Sequence, residues 1–267
     1  MIGAIIGDIV GSRFEWFNHR SKDFELLSPK CFFTDDSVMS LAICDALMKC
    51  TENFSDLSDQ AVSSMQEVGR HYRHCGYGGS FFRWMYSNNP KPYNSYGNGA
   101  AMRVSGCGHV GTSINEVKHL SRSVTEVTHN HPEGLKGAEA TATAVFLART
   151  GKSINEIKNY IVKNYYSLDF TIDGIRETYK YNETCQDTVP QALEAFFEST
   201  DFEDAIRNAI SIGGDSDTLA AITGSVAEAY YGVPTSIRKR AITFLDERLL
   251  EILLEFESRY LAKIEDK

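Results

Sequence analysis

Apolar residues recur along this chain at the three- and four-residue spacing of helices, and no stretch alternates long enough to read as a strand. Residues 2–12 set Ile2, Ile5, Ile6, Ile9 and Val10 on one stripe. Gly3, Gly7 and Gly11 fall on another face at a spacing of four, which lets a second helix backbone approach closely. Asp8 lies inside this apolar helix and needs a partner there, because burying a lone carboxylate is costly. Arg13, Phe14 and Glu15 follow at the helix end, and residues 16–33 read as a connecting loop. Thr34 or Asp35 then caps a helix that Val38, Leu41, Ala42, Cys44, Asp45, Leu47 and Met48 continue. Further helical patterns cover 57–74, 115–127, 134–149, 153–164, Val189 to Phe197, Phe202 to Ile212, Leu219 to Tyr231 and Ser236 to Leu261. About ten such segments predict an all-α fold. The chain shows neither a composition break nor a fixed-period repeat, so one multi-helix domain over 1–267 is expected.

Two stretches break the pattern. From Gly76 to Gly111, glycines are interleaved with Tyr77, Phe81, Phe82, Trp84, Tyr86, Tyr93 and Tyr96. Linkers are poor in aromatics, so an ordered, backbone-rich surface is expected. Aromatic faces there can stack on a base, and glycines let backbone N–H groups come close to a ligand. Residues 165–188 are aromatic and polar with short turns and carry no readable period.

Composition narrows the class. Hydrophobic residues make up 42% and charged residues 24% of 267, as in an ordinary globular protein. A net charge of −9 argues against non-specific nucleic-acid binding, which needs clustered Lys and Arg. The six cysteines, at 31, 44, 50, 75, 107 and 185, form no CxxC pair and read as reduced thiols of a cytoplasmic protein. The apolar amino terminus is short and interrupted by Asp8, so it is neither a signal peptide nor a membrane span, and no other segment approaches the ~20 apolar residues a span needs. A monomer is expected.

The chemistry lies in two acidic clusters. One is Gly213-Gly214-Asp215-Ser216-Asp217-Thr218 and the other Thr34-Asp35-Asp36-Ser37, each opening a helix. Carboxylates and hydroxyls are hard oxygen ligands suited to Mg²⁺, Mn²⁺ or Ca²⁺. Four carboxylates brought together would repel one another, and two cations would offset that repulsion. Asp35 and Asp36 diverge by ~100° on a regular helix, so each could face a different ion. Asp, Ser and Thr are also the commonest helix caps, so spacing alone leaves a metal site and two capped helices both open. An EF-hand does not fit, because no twelve-residue loop ending in Glu follows.

The motifs together resemble the ADP-ribosylglycohydrolase family. They run in order: Gly3-x-x-x-Gly7-Asp8-x-x-Gly11 with Glu15; Thr34-Asp35-Asp36-Ser37-x-Met39; Ser95-Tyr96-Gly97-Asn98-Gly99-x-x-Met102-Arg103; Thr128-His129-x-His131-Pro132; Thr188-Val189-Pro190; and Gly213 to Thr218. The resemblance implies an all-α fold with a binuclear magnesium site that also accepts manganese. It implies Thr34, Asp35, Asp36, Asp215, Asp217 and Thr218 as ligands and Glu15 near the metals. It implies Ser95, Tyr96, Gly97 and Asn98 as the loop holding the diphosphate beside the adenine, and His129 as a contact to ADP-ribose. His131 is a further candidate. The implied reaction is hydrolysis of the bond from the distal ribose to an acceptor on a protein or small molecule, with Asp35, Asp36 or Glu15 as base and Asp215 essential. A silent ADP-ribose-binding module and a pyrophosphohydrolase are the alternatives.

Overall fold

The computed structural model describes residues 1–261. The stripe at the start forms α1 (Ile2–Gly11), every residue of which is buried. A turn-rich loop leads to α2 (Asp35–Lys49), whose N-cap is Thr34; its hydroxyl accepts from the Asp36 amide at 3.3 Å. Next comes α3 (Leu57–His71), shorter than its pattern because Tyr72 leaves helical geometry at φ −109°, ψ 45°. The glycine- and aromatic-rich stretch is ordered, as expected, yet it contains three short helices: α4 (Gly79–Met85), α5 (Gly99–Met102) and α6 (Ser105–Val110). Then follow α7 (Ile114–Thr125), α8 (Pro132–Arg149), α9 (Ile154–Asn164) and the single turn α10 (Ile172–Ile175).

The helix α11 (Cys185–Phe197) starts four residues before its apolar pattern does and carries Pro190 inside it. Proline has no N–H, so the Gln186 carbonyl lacks its usual intrahelical donor, and the helix runs on regardless. The described residues close with α12 (Phe202–Ile210), α13 (Ser216–Tyr231), α14 (Thr235–Ala241), a 3₁₀ turn (Ile242–Phe244) and α15 (Glu247–Tyr260). Among the described residues the β-type pairing is one isolated antiparallel bridge, Gly97 to Thr184. All six cysteines are free. No described helix is long and apolar enough to cross a membrane.

The glycines of α1 set the architecture. A Cβ built on Gly7 would lie 1.9 Å from the Ala220 carbonyl oxygen, and one on Gly3 would lie 2.3 Å from that of Gly224. A Cβ on Gly11 would lie 2.5 Å from the Cα of Asp217. These pairings run in opposite directions along the chain, so α1 and α13 are antiparallel and touch backbone to backbone. The end of α1 therefore meets the start of α13. Helices α5, α8, α11 and α12 close around α13, while α2 packs on α1 with α3 and α15 outside it.

Candidate active site

Asp8 finds the partners its burial demands at the start of α2. Its Oδ2 accepts from the Thr34 amide at 2.9 Å, the Ser37 amide at 3.0 Å and the Ser37 hydroxyl, and its Oδ1 lies 2.7 Å from the Thr34 hydroxyl. These bonds pin the first turn of α2 to α1 and fix the position of Asp35 and Asp36 between them. Burial, and then the charge of Asp217, push the Asp8 carboxyl up to about 7; the bonds from Ser37 and Thr34 oppose them.

The second cluster is aimed by the Gly213-Gly214 turn. Both glycines hold positive φ, +68° and +75°. A side chain at Gly213 would strike Asn18, and one at Gly214 would strike the ring of Tyr179. The turn delivers Asp215 as the N-cap of α13 and Asp217 into its first turn. Both acidic clusters thus stand at helix amino termini, where partial positive charge favours carboxylates.

The two clusters meet at one cavity of about 550 Å³. Six carboxylates line it: Glu15, Asp35, Asp36, Glu183, Asp215 and Asp217. The Thr218 hydroxyl donates to Asp36 Oδ2 at 3.2 Å, a direct link between the ends of the chain. Oxygens of Glu15, Asp215 and Asp217 lie within 4.8 Å of one another. Asp36 Oδ1 is buried without a hydrogen-bond partner. Burial first, then Asp217, raise the carboxyls of Asp35, Asp36 and Asp215 above the usual range. The same causes, with Asp8 and Glu183 after them, push Glu15 up to about 7. An orphaned buried oxygen within a hard, crowded donor set fits divalent cations.

The opposite wall comes from the Ser95–Asn98 segment, α5 and His129. Ser95, Gly97 and Asn98 line the cavity; Tyr96 does not, and packs on the His131 ring at 5.1 Å instead. The Asn98 side chain is turned to the acids, donating to Asp215 Oδ2 at 2.7 Å and to Thr188 Oγ1 at 3.3 Å. His129 lines the cavity with its ring buried. His131 does not line it; its Nδ1 accepts from the Glu133 amide at 3.1 Å and caps α8.

Three groups of lining residues were not legible as site residues. Tyr181 and Glu183 come from the stretch without a pattern, carried in by the Gly97–Thr184 bridge and by the Asn98 amide donating to the Glu183 carbonyl at 2.7 Å. Trp16 and Phe32, exposed at 74% and 54%, stand at the mouth, with Trp16 stacked on Tyr181 at 5.6 Å. Their high exposure so close to Glu15 is the structural sign; a bulky apolar run beside an acid in a loop was the signal in the chain. Arg103 is the third, the one Lys or Arg in the lining.

The chain is similar to known proteins along most of its length. The model of the ADP-ribosylglycohydrolase family matches residues 1–264. The human ADP-ribosylhydrolase ARH3 is 26% identical, over 87% of this chain and 84% of its own length. The ADP-ribosyl-[dinitrogen reductase] glycohydrolase of Rhodospirillum rubrum is 28% identical, over 75% and 69%. The ADP-ribosylarginine hydrolase Tri1 of Pseudomonas putida is 27% identical, over 87% and 70%. Among solved structures, an ADP-ribosylglycohydrolase-related protein complex superposes with a TM-score of 0.68 at 23% identity, covering 96% of this chain and 94% of its own. With its whole helical core and both acidic clusters inside the matched span, the chain belongs to the ADP-ribosylglycohydrolase family.

Proposed function

We propose that this protein is a metal-dependent hydrolase that cleaves the bond between the distal ribose of ADP-ribose and an acceptor, releasing ADP-ribose. The observation that carries the reading is the meeting of Asp35 and Asp36 with Asp215 and Asp217 in one cavity that also takes in Ser95, Gly97, Asn98 and His129. The names of the relatives support the same chemistry. In this reading Thr34, Asp35, Asp36, Asp215, Asp217 and Thr218 hold two Mg²⁺ or Mn²⁺ ions, and Glu15 stands close enough to Asp215 and Asp217 to share one. The ions, when bound, offset the repulsion among the carboxylates and give a template for vicinal hydroxyls.

The chain's own groups supply the rest. Gly97, without a Cβ, lets the backbone approach the diphosphate, and His129 presents a ring nitrogen beside it. The carboxylates stabilise the positive charge that develops on the ribose as its bond to the acceptor breaks. A water oxygen bonds to C1, the acceptor leaves with the bonding pair and takes up a proton, and the proton lost by water passes to a carboxylate. Glu15, Asp35 and Asp36 are the candidates to receive it. The substrate is an ADP-ribosylated protein or small molecule, handled by one domain spanning the chain, as a monomer in the cytoplasm. Product analysis on ADP-ribosylated arginine and serine peptides tests the reading. Free ADP-ribose supports it, AMP means pyrophosphate cleavage, and binding without product means a silent reader.

A further inference from the structure

Arg103 is the only buried Lys or Arg among the described residues, at 1% exposure. Outside the acidic clusters, Glu194 pairs with Lys158 at 2.6 Å, and Asp8 has four donors around it. The contacts of Arg103 are neutral. Its Nη2 donates to the Thr128 hydroxyl at 2.6 Å and lies 3.4 Å from His129 Nδ1, its guanidinium sits 5.7 Å from the Phe81 ring, and its buried Nε has no partner. A buried guanidinium without a counter-charge is costly, and burial pulls its pKa down only to about 10, so it stays charged at neutral pH. It lines the cavity, next to His129 and the turn from Gly97 to Gly99. Asp35 in the same cavity acts on it at a distance without an ion-pair contact, and an anion entering the cavity would supply that contact.

The same guanidinium fixes the histidine. Guanidinium N–H groups donate and never accept. The Thr128 hydroxyl accepts from Arg103 and has two acceptors in reach of its own proton, His129 Nδ1 at 2.7 Å and the Thr125 carbonyl at 3.3 Å; the nearer is His129, whose Nδ1 also faces the donor-only Arg103 Nη2 at 3.4 Å. Nδ1 is thereby an acceptor, and the ring proton lies on Nε2. That nitrogen faces the glycine turn, 3.4 Å from where a Cβ on Gly99 would stand and 3.6 Å from one on Gly97.

We propose that Arg103 is a positioning residue of the substrate site: it supplies the buried positive charge for the diphosphate of ADP-ribose and, through Thr128, holds His129 as a neutral Nε2–H donor toward that anion. This rests on the function proposed above. The test compares wild type, R103M and R103K in Mg²⁺. ADP-ribose and adenosine binding is measured by calorimetry, turnover by steady-state kinetics, and the His129 ring by ¹⁵N NMR. R103M should weaken ADP-ribose about tenfold or more, the usual scale for a lost interaction with a charged group, and leave adenosine unchanged. Its KM should rise by a similar factor with kcat within about twofold, as for lost uniform binding. Ligand-free R103M should melt at or above wild type, because an unpaired buried charge is gone. R103K should recover most of the affinity.

In wild type, His129 should remain the Nε2–H form from pH 6 to 8, a reading that needs no variant. Equal weakening of ADP-ribose and adenosine, or an R103M that melts low yet binds normally, would make Arg103 a packing residue and overturn the inference. So would an Nδ1–H or doubly protonated His129 in wild type. If R103M does not fold, R103K and the wild-type spectrum decide. Wild type that binds no ADP-ribose overturns the proposed function and this inference together. Wild type that binds it, with R103M binding equally, overturns this inference alone.

Discussion

Asp8 gives the sharpest test of how α1 holds the site, because its charge and its hydrogen bonds act in opposite directions. The carboxyl is raised from 3.8 to about 7, so the folded protein keeps a proton there that the unfolded chain loses. Its contribution to stability is therefore full below pH 3.8 and is lost as pH rises through about 7. The shift of about 3 units corresponds to roughly 4 kcal/mol at 1.36 kcal/mol per unit. Asp8→Asn has the shape of the protonated acid. Its oxygen can accept from the Thr34 and Ser37 amides, and its NH₂ can donate to the Thr34 hydroxyl. In EDTA, urea unfolding should already find D8N more stable than wild type by roughly 1–2 kcal/mol at pH 5, where the unfolded carboxyl has ionised and the folded one has not. At pH 8 it should be more stable, by up to roughly 4 kcal/mol. Asp8→Ala instead leaves two buried backbone N–H groups without acceptors, at about 1–3 kcal/mol each, so it should lose roughly 2–6 kcal/mol at pH 5. A D8N protein less stable than wild type at pH 8 would refute the reasoning; it would mean that the four donors keep Asp8 ionised and that its charge holds α2 in place.

Three further outcomes follow from the same geometry. Gly7→Ala places a Cβ against the Ala220 carbonyl, which yields only if the helix moves; it should cost at least the ~1–3 kcal/mol of overpacking and depress activity, and a wild-type melting curve with wild-type turnover would contradict the backbone contact. Asp215→Ala should abolish turnover and weaken Mg²⁺ binding by calorimetry while far-UV dichroism stays unchanged, since it removes a buried carboxylate and no apolar contact; turnover that persists would take Asp215 out of the chemistry. Trp16→Ala should change stability by no more than about 0.5 kcal/mol because the side chain is 74% exposed, yet raise KM for an ADP-ribosylated peptide; an unchanged KM would mean that Trp16 at the mouth of the cavity does not touch the substrate.

The parts of this molecule governed by period were legible in the chain. The four-residue glycine spacing of α1 announced a close helix partner, and α13 is that partner. The acidic clusters were visible as hard oxygens at two helix starts; spacing alone left caps and a metal site both open, and the order of the motifs favoured the site. That Asp8 needed a partner was readable, but its partners lie 26 and 29 residues away and no spacing points to them. Helices of four to six residues, such as α5 and α6, are too short to show a period. Pro190 masked the true start of α11. Tyr181 and Glu183 reach the cavity through one bridge and a few loop hydrogen bonds, which leave no repeating trace. The turning of Asn98 toward Asp215, and of Tyr96 toward His131, depends on side-chain choices that only the packed structure makes.

The proposed activity is cleavage of ADP-ribose from an acceptor by the acidic clusters loaded with divalent metal. The direct measurement is release of free ADP-ribose from ADP-ribosylated peptides by wild type and by the D36A/D215A double variant, each in Mg²⁺ and in EDTA. Release is expected from wild type in Mg²⁺ and from no other combination. Release that survives both EDTA and the double substitution would contradict it.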